Sequence, residues 1–324
     1  MTEPALEGAR VLITGGAGFI GSHLADLLAE SRVAEIVVFD NFSRGRPENL
    51  ATARESGRVV VIEGDICDRA EVARAMRGVD LLFHLAAIRL THCAEDPRLA
   101  FDVMATGTFN VLEAAVEAHV GKVIAASSAS VYGMADQFPT PEDYHPYRNK
   151  SLYGALKMFD EGLLASFRDM FGLRYVALRP FNVYGPRMDI QGAYTEVLIR
   201  WMERIARGLP PVIFGAAGQS MDLIFVEDVA RAFLRASERD VDGEVFNVGS
   251  GVETTLEQLA RALLEAMDSD LPLEYGPERK APAVWRRLAD TRKARDLLGF
   301  EAQVSLNDGL RRLVDWWRRK TALR

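Results

Sequence analysis

The chain has 324 residues, 48% of them apolar and 26% charged, enough apolar material for one large α/β domain with a smaller companion; the balance excludes a disordered chain. A formal net charge of −7 argues against a general binder of nucleic acid or anionic membrane, although local arginines can still hold a phosphorylated small molecule. Two cysteines, Cys67 and Cys93, lie at no metal-ligand spacing, and neither a signal-peptide pattern nor a membrane-length apolar run is expected, so the reading is a metal-free cytoplasmic protein.

Residues 10–14 read as a strand buried on both faces, and 19–28 continue with helical spacing. Between them the run Thr14-Gly-Gly-Ala-Gly-Phe-Ile-Gly21 makes a strand-to-helix turn. Gly15 would take the tight turn, Gly18 would admit a pyrophosphate to the backbone, and Gly21 would let the helix pack on the sheet. The N–H groups of the new helix, at Phe19 and Ile20, would face the phosphates. A second strand at 35–39 ends at Asp40, nineteen residues after Gly21, where a carboxylate would accept hydrogen bonds from an adenosine ribose. It would repel a 2′-phosphate, which favours NAD over NADP, although Arg44 and Arg46 keep NADP open.

A third strand at 59–63 leads to Gly64-Asp65-Ile66, with Asp65 placed for an adenine edge and Ile66 for its face; Asp65 or Asp68 would also cap a helix over 69–76. A fourth strand, 79–84, runs into Leu85-Ala86-Ala87, small residues that would let a cofactor lie flat. His84, with no partner at ligand or triad spacing, reads as structural. Asp96-Pro97 opens a helical pattern through His119 whose outward apolar positions could meet a partner subunit.

The fifth strand, 122–126, delivers the hydroxyls of residues 127–133 to the carboxyl end of the sheet, where such folds bind ligands. One helix later, Tyr153 and Lys157 stand four residues apart on one helical face. Oxidising an alcohol with a nicotinamide needs a base for the hydroxyl proton, and an unperturbed tyrosine, near pH 10, is not ready at neutrality. A neighbouring ammonium favours the phenolate, and Ser128 would hydrogen-bond the reacting oxygen. Alternating strands and helices through this half predict a Rossmann-type, doubly wound parallel sheet.

Together these residues resemble the extended short-chain dehydrogenase/reductase family, in particular its nucleotide-sugar epimerases and dehydratases. The resemblance rests on residues 14–21, Asp40-Asn41, Gly64-Asp65-Ile66, His84-Leu-Ala-Ala87, Ser127 to Gly133, Tyr153 to Lys157, and Arg179-Pro-Phe-Asn-Val-Tyr-Gly-Pro186. It implies Ser128, Tyr153 and Lys157 as catalytic residues and NAD along the first half, with Asn41 beside Asp40. It implies an NAD-binding domain over 1–179, with 223–250 returning to it, and a smaller, interleaved substrate domain over most of 180–324. Asn182, Ser130, Arg187, Phe214, Arg279 and Lys280 would meet a nucleotide sugar, with UDP as the expected carrier. Where relatives carry Arg before Asp222 this chain has Met221, so Arg279, Lys280, Arg286 or Arg187 would clamp the diphosphate; Met104 replaces a frequent Asn. Relatives also imply a homodimer through the helix of Tyr153 and the long helix before it.

Thr255 with Gln258, and Ser305 with Asp308, read as helix starts, and the stripe Leu306, Leu310, Leu313, Val314, Trp317 reads as core. Dehydratases in the family carry Asp-Glu directly after the catalytic Ser or Thr, and uronate decarboxylases usually have Glu at the second position. Here Ala129 and Ser130 stand there, which favours a plain 4-epimerase working through a 4-keto sugar. A dehydratase or UDP-glucuronate decarboxylase is the alternative, and a non-catalytic NAD-binding protein the alternative of another class. Arg89 and Arg187 could pair with a uronate carboxylate.

Overall fold

The computed structural model describes residues 6–145, 149–190, 197–214, 218–277 and 284–322. Its first strands are β1 (Arg10–Thr14), β2 (Glu35–Asp40), β3 (Val59–Glu63), β4 (Leu81–His84), β5 (Lys122–Ala126) and β6 (Tyr175–Pro180). They are followed by β7 (Asn182–Tyr184), β8 (Val212–Phe214), β9 (Ser220–Phe225), β10 (Glu244–Val248), β11 (Glu253–Thr255) and β12 (Glu274–Gly276). The helices between β1 and β4 are α1 (Phe19–Glu30), α2 (Ala51–Arg54) and α3 (Arg69–Ala75). Next come α4 (Leu90–Glu95), α5 (Pro97–Phe101), α6 (Thr108–Glu117) and α7 (Leu152–Phe171). The remaining helices are α8 (Val197–Ala206), α9 (Val226–Glu238), α10 (Leu256–Ala266) and α11 (Leu306–Ala322).

Seven strands form one parallel sheet in the order β10-β6-β5-β4-β1-β2-β3. This is the α/β doubly wound architecture expected from the sequence, and the strand order reverses between β1 and β4, where such sheets open a crevice at their carboxyl ends. Side-chain alternation feeds two cores. Val11 and Ile13 of β1 face α1 and α9, joining Leu24, Leu28, Val229 and Phe233, while Leu12 faces the other way to Val72, Val111 and Leu164. A three-stranded sheet, β11-β9-β7, and the pair β12-β8 belong to a second lobe. Its core gathers Tyr184, Trp201, Phe225, Leu263, Leu313 and Trp317.

The chain leaves the large sheet after Pro180 and returns to it through α9 and β10, which pairs with β6. Local signals act where the sequence carries them. Thr255 and Gln258 make a reciprocal capping box at 2.8 and 3.1 Å, and Ser305 Oγ accepts the Asp308 N–H at 3.2 Å. The helical pattern after Pro97 is not one α-helix, because residues 102–107 widen into a π-helical stretch. By length and composition alone Pro97–Glu117 could cross a membrane, against the expectation of no such run, yet 61% of its apolar window is buried inside the fold.

Candidate active site

A cleft of about 1180 Å³ runs along the carboxyl ends of the central strands and into the second lobe. At its near end Gly15 has a φ of +69°, and a Cβ there would come within 2.8 Å of the Ala86 nitrogen. A Cβ on Gly21 would overlap the Gly15 carbonyl oxygen, so this glycine seats α1 on the turn itself rather than on the sheet. Gly18 caps α1 without a side chain, and Phe19, Ile20 and Gly21 line the cleft, so the first-turn N–H groups open into it. Asp40 accepts the Ala17 N–H at 3.0 Å and the Phe42 N–H at 2.9 Å, and burial pushes its pKa up. Each oxygen keeps a second lone pair for a ribose hydroxyl.

Asn41 donates to Asp65 at 2.9 Å, as does the Cys67 N–H. Burial works to raise the Asp65 pKa, but these bonds outweigh it and hold the carboxyl below its usual range. Ile66, Leu85, Ala86 and Ala87 also line the cleft. An uncapped helix start, a carboxylate lining the cleft and a floor of small residues suit a dinucleotide laid across the strand ends.

Ser128 follows β5 and caps a short 3₁₀ turn, its Oγ accepting the Ser130 N–H at 3.1 Å. The hydroxyl proton stays free to donate into the cleft. Asn149 ties this turn to α7. Its amide donates to the Ser130 carbonyl at 2.7 Å and its oxygen accepts the Ser151 N–H at 3.1 Å, while Ser151 Oγ caps α7 through the Gly154 N–H at 3.1 Å. A Cβ on Gly154 would overlap the Ser130 carbonyl oxygen, so glycine lets the helix close on the loop. Tyr153 and Lys157 then share the cleft wall with Ser128. Tyr153 lies in the first turn of α7, whose positive end favours a phenolate.

The Lys157 ammonium donates to the Ala126 carbonyl at 2.7 Å and lies 3.3 Å from Asp160. Both side chains are buried, and burial pushes the Asp160 pKa up against the pull of Lys157. His84 bridges Thr14 at 2.8 Å and Thr108 at 3.2 Å; burial, then Lys157, lowers its pKa to about 3, so it is a neutral spacer. Met104 is buried against Cys93 and Leu156, next to the Tyr153 ring.

Sequence reasoning passed over the support beneath Ser128. Ser127 is buried and donates its hydroxyl to Glu161 at 2.5 Å. Arg179 donates to both Glu161 oxygens at 2.8 and 2.7 Å and to the Tyr132 hydroxyl at 2.8 Å, and Tyr132 donates to Asn247 at 2.6 Å. The signal was available in part, since Glu161 stands four residues after Lys157, but its partners come from distant strands.

On the second-lobe side, Asn182 lines the cleft and donates its amide to the Asp222 carbonyl at 2.9 Å. Asp222 itself is buried and accepts N–H groups of Ser250, Gly251 and Ala289 at 2.7, 3.0 and 3.2 Å. Phe214 and Met221 line the cleft, with Arg200 and Lys320 close by on its wall. Ser130 is buried and does not line it. Arg187, at a φ of +69°, lines it but is paired with Asp26 at 2.6 Å. Arg89 is paired with Asp189 at 3.0 Å, and Arg286 with both oxygens of Glu253 at 2.7 Å. Arg279 and Lys280 lie outside the described residues. Among the described residues there is no cluster of three or more His, Cys, Asp or Glu that could hold a metal.

Comparison with known proteins gives this arrangement a context. Residues 11–249 match the model of the NAD dependent epimerase/dehydratase family. The UDP-glucose 4-epimerase of Mycolicibacterium smegmatis is 38% identical over 317 residues, 96% of this chain and 99% of the relative. The UDP-N-acetylglucosamine 4-epimerase of Methanobrevibacter ruminantium, solved with UDP-N-acetylmuramic acid, superposes with a TM-score of 0.91 at 32% identity, covering 97% of this chain and 100% of that one. The UDP-glucose 4-epimerase of Thermus thermophilus, solved with NAD, gives a TM-score of 0.84 at 34% identity over 95% and 99% of the two chains.

Proposed function

The chain belongs to the NAD-dependent epimerase/dehydratase family, and on that premise we propose that it inverts C4 of a nucleotide-activated hexose or hexuronate, with UDP as carrier. One observation carries the reading: Ser128, Tyr153 and Lys157 share a cleft wall, while the two positions after Ser128 hold a buried Ala129 and a buried Ser130 and bring no carboxylate to it. Elimination of water needs a second acid and base there. Epimerisation does not.

NAD, when bound, supplies a hydride acceptor that later returns the hydride. Tyr153 takes the C4 hydroxyl proton, with Lys157 and the α7 N-terminus favouring its phenolate. Ser128 donates to the same oxygen and steadies the ketone. When the 4-keto sugar has turned its other face, Tyr153 gives the proton back, so protons and electrons balance over the cycle. The Methanobrevibacter enzyme's complex with UDP-N-acetylmuramic acid supports including acidic sugars.

The nucleotide would lie against Phe214 and Met221 with Asn182 on the sugar side, and a homodimer would form through α5 to α7. Phe101, Phe109 and Phe159 are 43–48% exposed there, which supports an apolar helical interface. The setting is cytoplasmic. The testing experiment supplies purified protein with NAD and a panel of UDP-glucose, UDP-galactose, their N-acetyl forms and UDP-glucuronate, followed by anion-exchange chromatography and proton NMR. C4 epimers without net NADH are expected; loss of water or carbon dioxide sinks the epimerase reading.

A further inference from the structure

The strand order β4-β1-β2 places the loops after β4 and β2 on either side of the glycine turn after β1, all at the carboxyl ends of parallel strands. Each flanking loop ends in an arginine. Arg46 follows β2, and its backbone N–H donates to the Ala17 carbonyl in the turn at 3.0 Å. Arg89 follows β4 and opens α4. Asp189, delivered by the segment after β7, lies with one oxygen 3.9 Å from the Arg46 guanidinium and with the other 3.0 Å from that of Arg89. All three residues line the cleft. One carboxylate from the second-lobe side therefore ties both flanks together across the turn.

That segment is itself seated on α1, the helix whose first turn opens into the cleft. His23 Nε2 donates to the Pro186 carbonyl at 3.0 Å, and Arg187, turned by a φ of +69°, reaches back to Asp26 at 2.6 Å. Its base is held by these contacts, while Asp189 is held by pairs that water reaches: the side chains of Arg89, Asp189 and Arg46 are 18%, 27% and 41% exposed. Pairs this open are individually weak and screened by salt, which suits contacts that part and re-form. A carboxylate is also the wrong group to bind a pyrophosphate, since like charges repel. Its chemistry fits a fastening between arginines rather than a cofactor ligand.

We propose that Asp189, Arg46 and Arg89 form a clasp that closes over the dinucleotide, so that NAD enters and leaves only when the clasp parts. The proposal rests on the family's cofactor and on neither the sugar nor the reaction. For a cycle that returns its hydride, exchange of cofactor brings nothing, and a closed clasp keeps the dinucleotide in place between turnovers. The rival arrangement has the two arginines as phosphate ligands that Asp189 merely draws away, and it gives opposite kinetics.

Release is read by chasing fluorescent NADH from the loaded full-length protein with excess NAD, and entry by stopped-flow mixing of the cofactor-free chain with NADH, in the wild type, Asp189→Ala and Asp189→Glu. Asp189→Ala is expected to speed both release and entry by roughly 5- to 30-fold, so that the affinity stays nearly constant, with Asp189→Glu in between. Release that slows in Asp189→Ala identifies the arginines as phosphate ligands and overturns the proposal, as does release that does not change. Release that quickens while entry stays at the wild-type rate marks a lost contact, and overturns it too. Salt supplies a second reading on the loaded protein alone. Added sodium chloride should speed release more steeply in the wild type than in Asp189→Ala, and equal slopes refute the clasp.

Discussion

Lys157 and Asp160 form a buried ion pair at 3.3 Å, one helical turn apart on α7, and among the described residues the second oxygen of Asp160 lies within hydrogen-bond distance of no partner. Removing one member of such a pair strands a charge in a dry site. Lys157→Met is therefore expected to lose about 3–5 kcal/mol of stability besides its activity. Adding Asp160→Asn in the same chain should recover most of the stability and none of the turnover. Urea unfolding of the two variants checks this, and equal losses in both would refute it.

Tyr153→Phe removes a single hydroxyl from the cleft wall. Turnover should drop by about 10²- to 10⁴-fold, with NAD still bound and the melting temperature unchanged. A variant that kept wild-type turnover would place the proton transfer elsewhere.

Gly154→Ala drives a methyl into the Ser130 carbonyl and pushes the start of α7 away from Ser128. We expect about 1–3 kcal/mol of destabilisation together with a fall in kcat. Gly162→Ala, on the same helix with open space around it, is the control and should stabilise by roughly 0.4–1 kcal/mol. Denaturation and kcat measured side by side separate the two.

His84 is lowered from 6.5 to about 3 in the fold, by burial first and Lys157 second. The unfolded chain then binds a proton between those values that the folded chain refuses, so stability is complete above pH 6.5 and is lost as pH falls toward 3. Each pH unit in that window costs about 1.4 kcal/mol from this group. His23, lowered to about 4, adds a second share, while the buried Asp40 and Asp160, whose pKa values are raised, act in the opposite sense. Subtracting the pH-stability curve of His84→Gln from that of the wild type isolates the first share; parallel curves would refute it.

Phe101 and Phe159 stand 48% and 47% exposed on neighbouring helices. Phe159→Arg should convert a dimer to a monomer in gel filtration with turnover per chain reduced only modestly. A wild type that already elutes as a monomer removes the interface.

The glycine turn, the acid at Asp40 and the Tyr153–Lys157 face were legible because each is a local pattern with one physical reading. So were the helix starts at Thr255 and Ser305. Glu161, Arg179 and Asn247 were not, since their meeting depends on strands β6 and β10 lying side by side. Arg187 and Arg89 looked available in the sequence, but ion pairs with Asp26 and Asp189, across 161 and 100 residues, engage them.

The return of β10 to the large sheet has a practical consequence for anyone dissecting the molecule. A chain stopped after Pro180 would hold every glycine of the turn, Ser128, Tyr153 and Lys157, yet it would bare the backbone of β6 as a raw edge and strip α9 from the core over β1. It would also orphan Arg179 and Tyr132 from Asn247. The half that carries Ser128, Tyr153 and Lys157 cannot be made without the half that completes its sheet, and gene fragments cut at that apparent boundary will yield aggregates rather than a folded domain.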